Sequence, residues 1–169
     1  LDHADYGTHS MRRTKATLIY RKTKNLRAVQ LLLGHSKLES TVRYLGIEVV
    51  RAVKSAIGDG VHLMSDYNQA LSVPDAVHRV RALADEGLYW IEEPCLAHDS
   101  QGYARVRAAS RCPIQMCENW WGPEEMATSL GFGASDLGLP GAMKIGGVSG
   151  WMQAAALADS AGMPISTHL

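Results

Sequence analysis

The chain has 169 residues, 17 Lys and Arg balance 17 Asp and Glu, and 46% of the residues are hydrophobic. This composition is typical of a globular protein and excludes a chain too polar to form a core. No apolar run approaches the ~18 residues that span a bilayer, and no signal peptide is found, so we expect a cytoplasmic protein with no membrane partner. Because the chain begins at Leu1 and not at Met, we also expect it to be processed, trimmed or truncated.

The zero net charge hides two halves of opposite sign. Residues 1–50 hold nine Lys and Arg against four Asp and Glu (+5), and residues 51–169 hold eight against thirteen (−5). Such asymmetry favours a nucleic-acid-facing segment joined to a different part, although chance surface charge gives the same pattern. The three cysteines lie in the acidic half without a C-x-x-C pair, so we expect buried, reduced thiols.

The basic half reads as helical throughout. Residues 10–24 are compatible with a basic helix, and an apolar helix is predicted over Leu26–Leu33. The capping-box spacing Ser36–Glu39 predicts the start of a third helix that reaches about Leu45 and carries Tyr44 in its last turn.

The acidic half alternates strands with helices. A helix over Val49–Ile57 follows the basic half without a linker and leads to a glycine turn. Helices are then predicted over about 72–87, 100–110, 123–131 and 149–160, the last capped by Ser149. The strands predicted between them are Val61–Asp66, Leu88–Glu92, Pro113–Glu118, Asp136–Pro140 and Met163–His168. This alternation predicts an α/β fold with about five parallel strands.

Three carboxylates recur at equal steps through these units. Asp66, Glu92 and Glu118 are each 26 residues apart (92−66 and 118−92), which fits one strand, one helix and two loops. In a (β/α) barrel the carboxyl ends of the strands share one face, and three hard oxygen ligands suit Mg²⁺ better than Zn²⁺. His168 also ends a strand, where a neutral imidazole can exchange protons. A single acid at such a place is often a helix cap or a solvated charge, but equal spacing favours a shared site.

Five motifs follow one another through residues 51–169. They are, in order, Asp66-Tyr67-Asn68-Gln69, Trp90-Ile91-Glu92-Glu93-Pro94, Glu118-Asn119-Trp120, Met143-Lys144-Ile145-Gly146-Gly147 and Thr167-His168-Leu169. In this order and spacing they resemble the mandelate racemase group of the enolase superfamily. The resemblance implies abstraction of the proton α to the carboxylate of a 2-hydroxy acid or acid sugar, as in a racemase or dehydratase. The roles it implies are Mg²⁺ ligands for Asp66, Glu92 and Glu118, a catalytic base for His168, and a contact to the substrate's α-hydroxyl for Asn68.

The segment departs from this family in ways that predict impaired chemistry. Gly141 stands where the family has the Asp that partners the catalytic His, and the family's Lys-x-Lys base motif, which lies upstream of the Asp66 strand, is absent from the segment. The match corresponds to strands three to seven of eight, so we expect an incomplete (β/α) barrel. Its unpaired edges and open interior predict association between copies of the chain.

Residues 1–49 carry three motifs in order, Thr8–Arg13, Leu33–His35 and Thr41–Tyr44. In this order and spacing they resemble the C-terminal end of tyrosine recombinases, the phage-type integrases. The resemblance implies that the phosphate of duplex DNA is stabilised by His9, Arg12 and His35, and that Tyr44 attacks it.

Three interpretations follow, with the chain divided into a helical segment, 1–49, and a partial barrel, 50–169. The first is an enzyme of the mandelate racemase type, the second is a DNA strand-exchange protein, and the third is an inactive product of a gene rearrangement. We favour membership of the first family with reduced activity. Substrate, stereochemistry and oligomeric state stay open at this point.

Overall fold

The computed structural model describes residues 38–168, with side chains from residue 46 onward. The chain divides into two compact units between Asp59 and Gly60. The described part of the first unit is one continuous helix, α1 (Leu38–Ile57). It joins the two helices predicted to end near Leu45 and to begin at Val49, and it crosses the predicted boundary at residue 49. That boundary stays a prediction.

The second unit confirms the predicted α/β fold. Its strands form a parallel sheet in the order β1-β2-β3-β4, each joined to the next through a helix. The elements are β1 (Ser65–Asp66), α2 (Val73–Ala82), β2 (Ile91–Glu92), α3 (Ser100–Ala109), β3 (Ile114–Met116), α4 (Gly122–Gly131), β4 (Leu137–Gly138) and α5 (Gly147–Ala161). This order is that of consecutive units of a (β/α) barrel.

A fifth segment extends the sheet beyond β4. Isolated parallel bridges join Gly138 to Ile165 and Gly141 to His168, so the predicted strand Met163–His168 is present as two bridges. The strands are shorter than predicted because the ladder frays into single bonds at their ends. One of these is the bond from the Tyr89 N–H to the Leu63 carbonyl oxygen, 2.8 Å long.

Local capping explains where the helices begin. The Ser72 hydroxyl accepts from the Asp75 N–H before α2, and the Asp99 carboxylate accepts from the Gly102 N–H before α3. The predicted cap Ser149 is wrong, because α5 already begins at Gly147. Gly146 precedes it with φ 106°, a left-handed conformation that favours glycine.

The core lies between the sheet and its helices. Side chains from the strands and from all four helices are fully buried there, including Ile91, Ile114, Val80, Tyr103, Val106, Met126 and Ala154. Large apolar side chains near the carboxyl end of the sheet stay exposed, with Trp121 at 71% and Met143 at 93%. Association between copies nevertheless stays a prediction. Within residues 38–168, no helix combines the length and apolarity that crossing a bilayer requires.

The buried cysteines lead to a prediction of how the free energy of unfolding changes at alkaline pH. Cys95, Cys112 and Cys117 are buried and unpaired, as expected from the sequence. Burial, aided by the charge of Asp99, raises the pKa of Cys95 to about 12. Burial, aided by the charge of Asp136, raises the pKa of Cys112 to about 11.

The folded state therefore holds these thiols protonated, whereas unfolded thiols ionise near pH 8.5–9. The free energy of unfolding should be fully retained below that pH and should decrease as pH rises toward 11–12. We expect the melting temperature to drop by about 5 °C between pH 8.5 and 10.5. The drop should shrink in Cys112→Ala. Rapid labelling of native thiols by a disulfide reagent at pH 8 would contradict this account.

Candidate active site

Two of the predicted ligands lie side by side at the carboxyl end of the sheet. Asp66 ends β1 and Glu92 ends β2, and the two residues pair in the parallel register. Glu92 pairs in turn with Gln115 of β3, so Glu118 lies three residues beyond that level, in the loop before α4. All three carboxylates thus follow strand ends on the face where (β/α)-barrel active sites lie.

The loop after β1 holds Asn68 beside Asp66. The Asn68 N–H donates to Asp66 Oδ1 at 2.7 Å. Asn68 and Gln69 both have positive φ, 42° and 62°, which is uncommon for residues other than glycine. The Gln69 N–H donates to the Glu93 carbonyl oxygen at 2.8 Å, which fixes this turn against β2. Backbone strain of this kind concentrates at functional sites.

Glu92 lies in an acidic environment. Burial raises its pKa, and the negative charges of Asp66, Glu93 and Glu118 act in the same direction. A hydrogen bond from Trp90 Nε1 to Glu92 Oε2, 3.2 Å long, opposes the shift. Like charges that converge at one face favour occupation by a cation.

Glu118 contacts an imidazole and an ammonium group. His168 Nε2 lies 2.7 Å from Glu118 Oε2, and Lys144 Nζ lies 3.7 Å from Glu118 Oε1. The structure therefore brings the predicted base and a predicted ligand into direct contact, although 50 residues separate them in the chain (168−118). Since His168 is 45% exposed and Glu118 is 21% exposed, the contact opens toward solvent.

Gly141 pairs with His168 and offers no side chain that could contact the imidazole. The two residues form a parallel bridge, and Gly141 is buried. A Cβ at Gly141 would lie 2.9 Å from the carbonyl oxygen of Glu118, closer than real Cβ contacts. A carboxylate at position 141 would thus require the Glu118 backbone to shift, and here the imidazole is oriented by Glu118 instead.

A buried hydrogen-bond network underlies the site, and the sequence motifs did not predict it. The Glu93 carboxylate is 1% exposed and accepts from Cys117 Sγ at 2.8 Å and from Asn119 Nδ2 at 2.8 and 3.0 Å. Asn119 Oδ1 accepts in turn from Lys144 Nζ. Burial, and then the bond to Glu93, raises the pKa of Cys117. The adjacent acids Glu92 and Glu93 were the available sequence signal, because a strand directs neighbouring side chains to opposite faces.

The donor set fits Mg²⁺ by its chemistry, since three carboxylates supply the hard oxygens that this ion prefers. Within residues 38–168, no three Asp, Glu, His or Cys side chains lie close enough together to hold a metal ion as they stand. The Glu118 carboxylate contacts Lys144 and His168, and these contacts partly explain why the three carboxylates do not converge. The ligand assignment stays a prediction.

The recombinase-like residues lie largely outside the described part of the chain. His9, Arg12 and His35 precede residue 38, and Tyr44 falls within α1 before the described side chains begin. Their roles, and contact with duplex DNA, stay predictions.

Comparison with known proteins identifies the family. A parallel α/β unit with acids and an imidazole at the carboxyl strand ends is typical of (β/α)-barrel enzymes. Residues 15–169 match the family described as enolase C-terminal domain-like, and the chain belongs to that family. The match overlaps most of the recombinase-like segment. It also includes the Lys-x-Lys sequence Lys22-Thr23-Lys24, which precedes the described residues.

Two curated relatives show which reactions occur among similar proteins. The chain is 32% identical to D-galactarolactone cycloisomerase of Agrobacterium fabrum, over 88% of this chain and 38% of that protein. It is 29% identical to L-talarate/galactarate dehydratase of Salmonella typhimurium, over 89% of this chain and 37% of that protein. The chain therefore spans less than two fifths of the length of these curated relatives.

Two solved structures share the fold. An enolase from Bradyrhizobium, complexed with magnesium and mandelic acid, superposes with a TM-score of 0.71 at 40% identity, over 80% of this chain and 36% of that one. L-talarate dehydratase from Polaromonas, complexed with Mg and L-glucarate, gives a TM-score of 0.72 at 33% identity, over 75% of this chain and 36% of that one.

Proposed function

We propose that this chain carries the site of a Mg²⁺-dependent racemase or dehydratase that abstracts the proton α to a carboxylate. The observation that carries the proposal is the contact between His168 Nε2 and Glu118 Oε2, 2.7 Å long. It sets an imidazole against a carboxylate on the strand-end face that holds Asp66 and Glu92. The magnesium complexes of the similar Bradyrhizobium and Polaromonas proteins support the choice of ion.

Each residue has a part that follows from its position. Asp66, Glu92 and Glu118 would hold Mg²⁺, which supplies Lewis-acid stabilisation of negative charge on the substrate carboxylate. Asn68 lies next to Asp66 and would donate to the substrate's α-hydroxyl. His168 would accept the α-proton at Nε2, once that nitrogen is released from Glu118.

The substrate class follows from the relatives. The similar proteins are named for galactarolactone, talarate and galactarate, or were crystallised with mandelic acid and L-glucarate. Each acid among them has a hydroxyl on the carbon next to a carboxylate. We therefore propose a 2-hydroxy acid or an acid sugar as substrate.

The proposed activity is weak. Racemisation requires an acid and a base on opposite faces of the substrate, and His168 supplies one of them. Gly141 offers no carboxylate to hold the imidazole in one tautomer and orientation, which lowers the efficiency of proton transfer. His168 is bonded to Glu118 instead, so the same carboxylate serves two partners.

We expect slow exchange of the α-proton when 2-hydroxy acids such as mandelate or galactarate are incubated with the protein in D₂O. The exchange should require Mg²⁺ and should disappear in His168→Asn, because the base is lost while a side chain of similar size stays. Proton NMR of the recovered substrate measures the rate.

His78→Asn serves as the matched control, since His78 lies in α2 and not at a strand end. Exchange that survives His168→Asn would refute the base assignment. Exchange as fast as in an efficient racemase would refute the predicted impairment.

A further inference from the structure

Lys144 lies between the buried network and the proposed metal ligands. Its Nζ is 3.7 Å from Glu118 Oε1 and donates to Asn119 Oδ1. The Lys144 side chain is 38% exposed and that of Glu118 is 21% exposed, so water screens the pair only partly. Lys144 is thus a fixed positive charge beside a carboxylate that the proposed function assigns to Mg²⁺.

The backbone on both sides of Lys144 holds it in place. Its N–H donates to the Gly141 carbonyl oxygen at 3.1 Å, and its carbonyl oxygen accepts from the Gly122 N–H at 3.2 Å. The next residue, Ile145, is fully buried. Because the main chain is anchored, the ammonium group can leave Glu118 only by rotation of its own side chain.

The second partner of Lys144 is itself fixed. Asn119 Nδ2 donates to both oxygens of the buried Glu93 carboxylate, at 2.8 and 3.0 Å, and Asn119 Oδ1 accepts from Lys144 Nζ. The amide therefore keeps the ammonium group close to Glu118 even when the ion pair loosens. The burial of Glu93 makes this orientation costly to reverse.

We propose that Lys144 is an internal counter-cation of Glu118 that holds this carboxylate in the metal-free protein and sets the affinity for Mg²⁺. The inference depends on the proposed function and names Lys144 as a positioning residue. A cation near the same carboxylate competes with the metal and repels it. Lys144 thereby lowers the affinity for Mg²⁺ and stabilises the site in the metal-free protein.

This role and a purely structural one predict opposite changes in the affinity for Mg²⁺. If Lys144 only supported the fold, its loss would lower both the stability of the protein and its affinity for Mg²⁺. If it is a counter-cation, its loss lowers stability, because Glu118 and Asn119 lose a donor, but tightens Mg²⁺ binding.

The test compares Lys144→Met, which keeps the length of the side chain without its charge, with Lys144→Arg, which keeps the charge. Isothermal titration calorimetry with MgCl₂ alone measures the dissociation constant, and thermal melts without metal measure stability. We expect Lys144→Met to bind Mg²⁺ about three- to tenfold more tightly than the wild type and to melt at a lower temperature. Lys144→Arg should bind as the wild type does, and added salt should reduce the difference.

The failures of the two proposals are distinguishable. Wild-type binding with equal or weaker binding by Lys144→Met overturns the counter-cation role and leaves the metal site standing. Absence of binding in both proteins overturns both proposals. Binding by Lys144→Met alone supports the role in its strongest form. Should Lys144→Met not fold, Lys144→Gln gives the same comparison, since its amide can still donate to Asn119.

Discussion

Substituting Glu92 by Gln is expected to abolish the stabilisation of this protein by Mg²⁺. Glu92 pairs in register with Asp66, and its raised pKa reflects burial and the neighbouring negative charges. A neutral amide removes the charge that would attract the cation. We expect the affinity for Mg²⁺ to fall by more than about 100-fold. This exceeds the loss that follows removal of a residue that only hydrogen-bonds to a metal ligand.

The same substitution should stabilise the metal-free protein slightly. Glutamine keeps the size of the side chain and can still accept from Trp90 Nε1, while repulsion from Asp66 and Glu118 disappears. Thermal melts with and without millimolar MgCl₂ measure both effects, since a ligand that binds the folded state alone raises the melting temperature. Opposite changes of this kind are typical of a functional site and not of a packing site.

Asp159→Asn is the matched control, because Asp159 is an exposed acid in the last turns of α5. It should leave the response to Mg²⁺ unchanged. An equal response in Glu92→Gln and in the wild type would remove Glu92 from the ligand set.

The repeating βα units could be predicted from sequence because their signals are local. Helix caps such as Ser72 and Asp99, and short apolar runs such as the one around Ile114, act within a few residues. Equal spacing then placed Asp66 and Glu92 at one edge, and the register pairs them. Local signals also have a limit, since the start of α5 depends on the conformation of Gly146 and not on the capping potential of Ser149.

The partners within the site could not be predicted in the same way. The bond from Asn119 to Glu93 spans 26 residues, and that from Lys144 to Asn119 spans 25. Their side chains meet only after three strands have paired, and neither spacing specifies which atoms will face each other. The contact of His168 with Glu118 likewise depends on the bridge to Gly141. At that position an added side chain would meet the backbone of Glu118.

We expect the second large effect where α5 packs against the segment that precedes it. An added Cβ at Gly150 would lie 1.9 Å from the carbonyl oxygen of Ile145, and Gly150 is buried. Gly150→Ala must therefore displace α5 from the segment that carries Lys144. We expect a loss of about 3 kcal/mol in the free energy of unfolding, measured by urea denaturation.

Gly131→Ala is the control, because nothing lies within 4 Å of an added Cβ there and alanine favours the helix. Equal stability of Gly150→Ala and Gly131→Ala would show that α5 can move away from Ile145 at little cost, and that the position of Lys144 is not fixed by this contact.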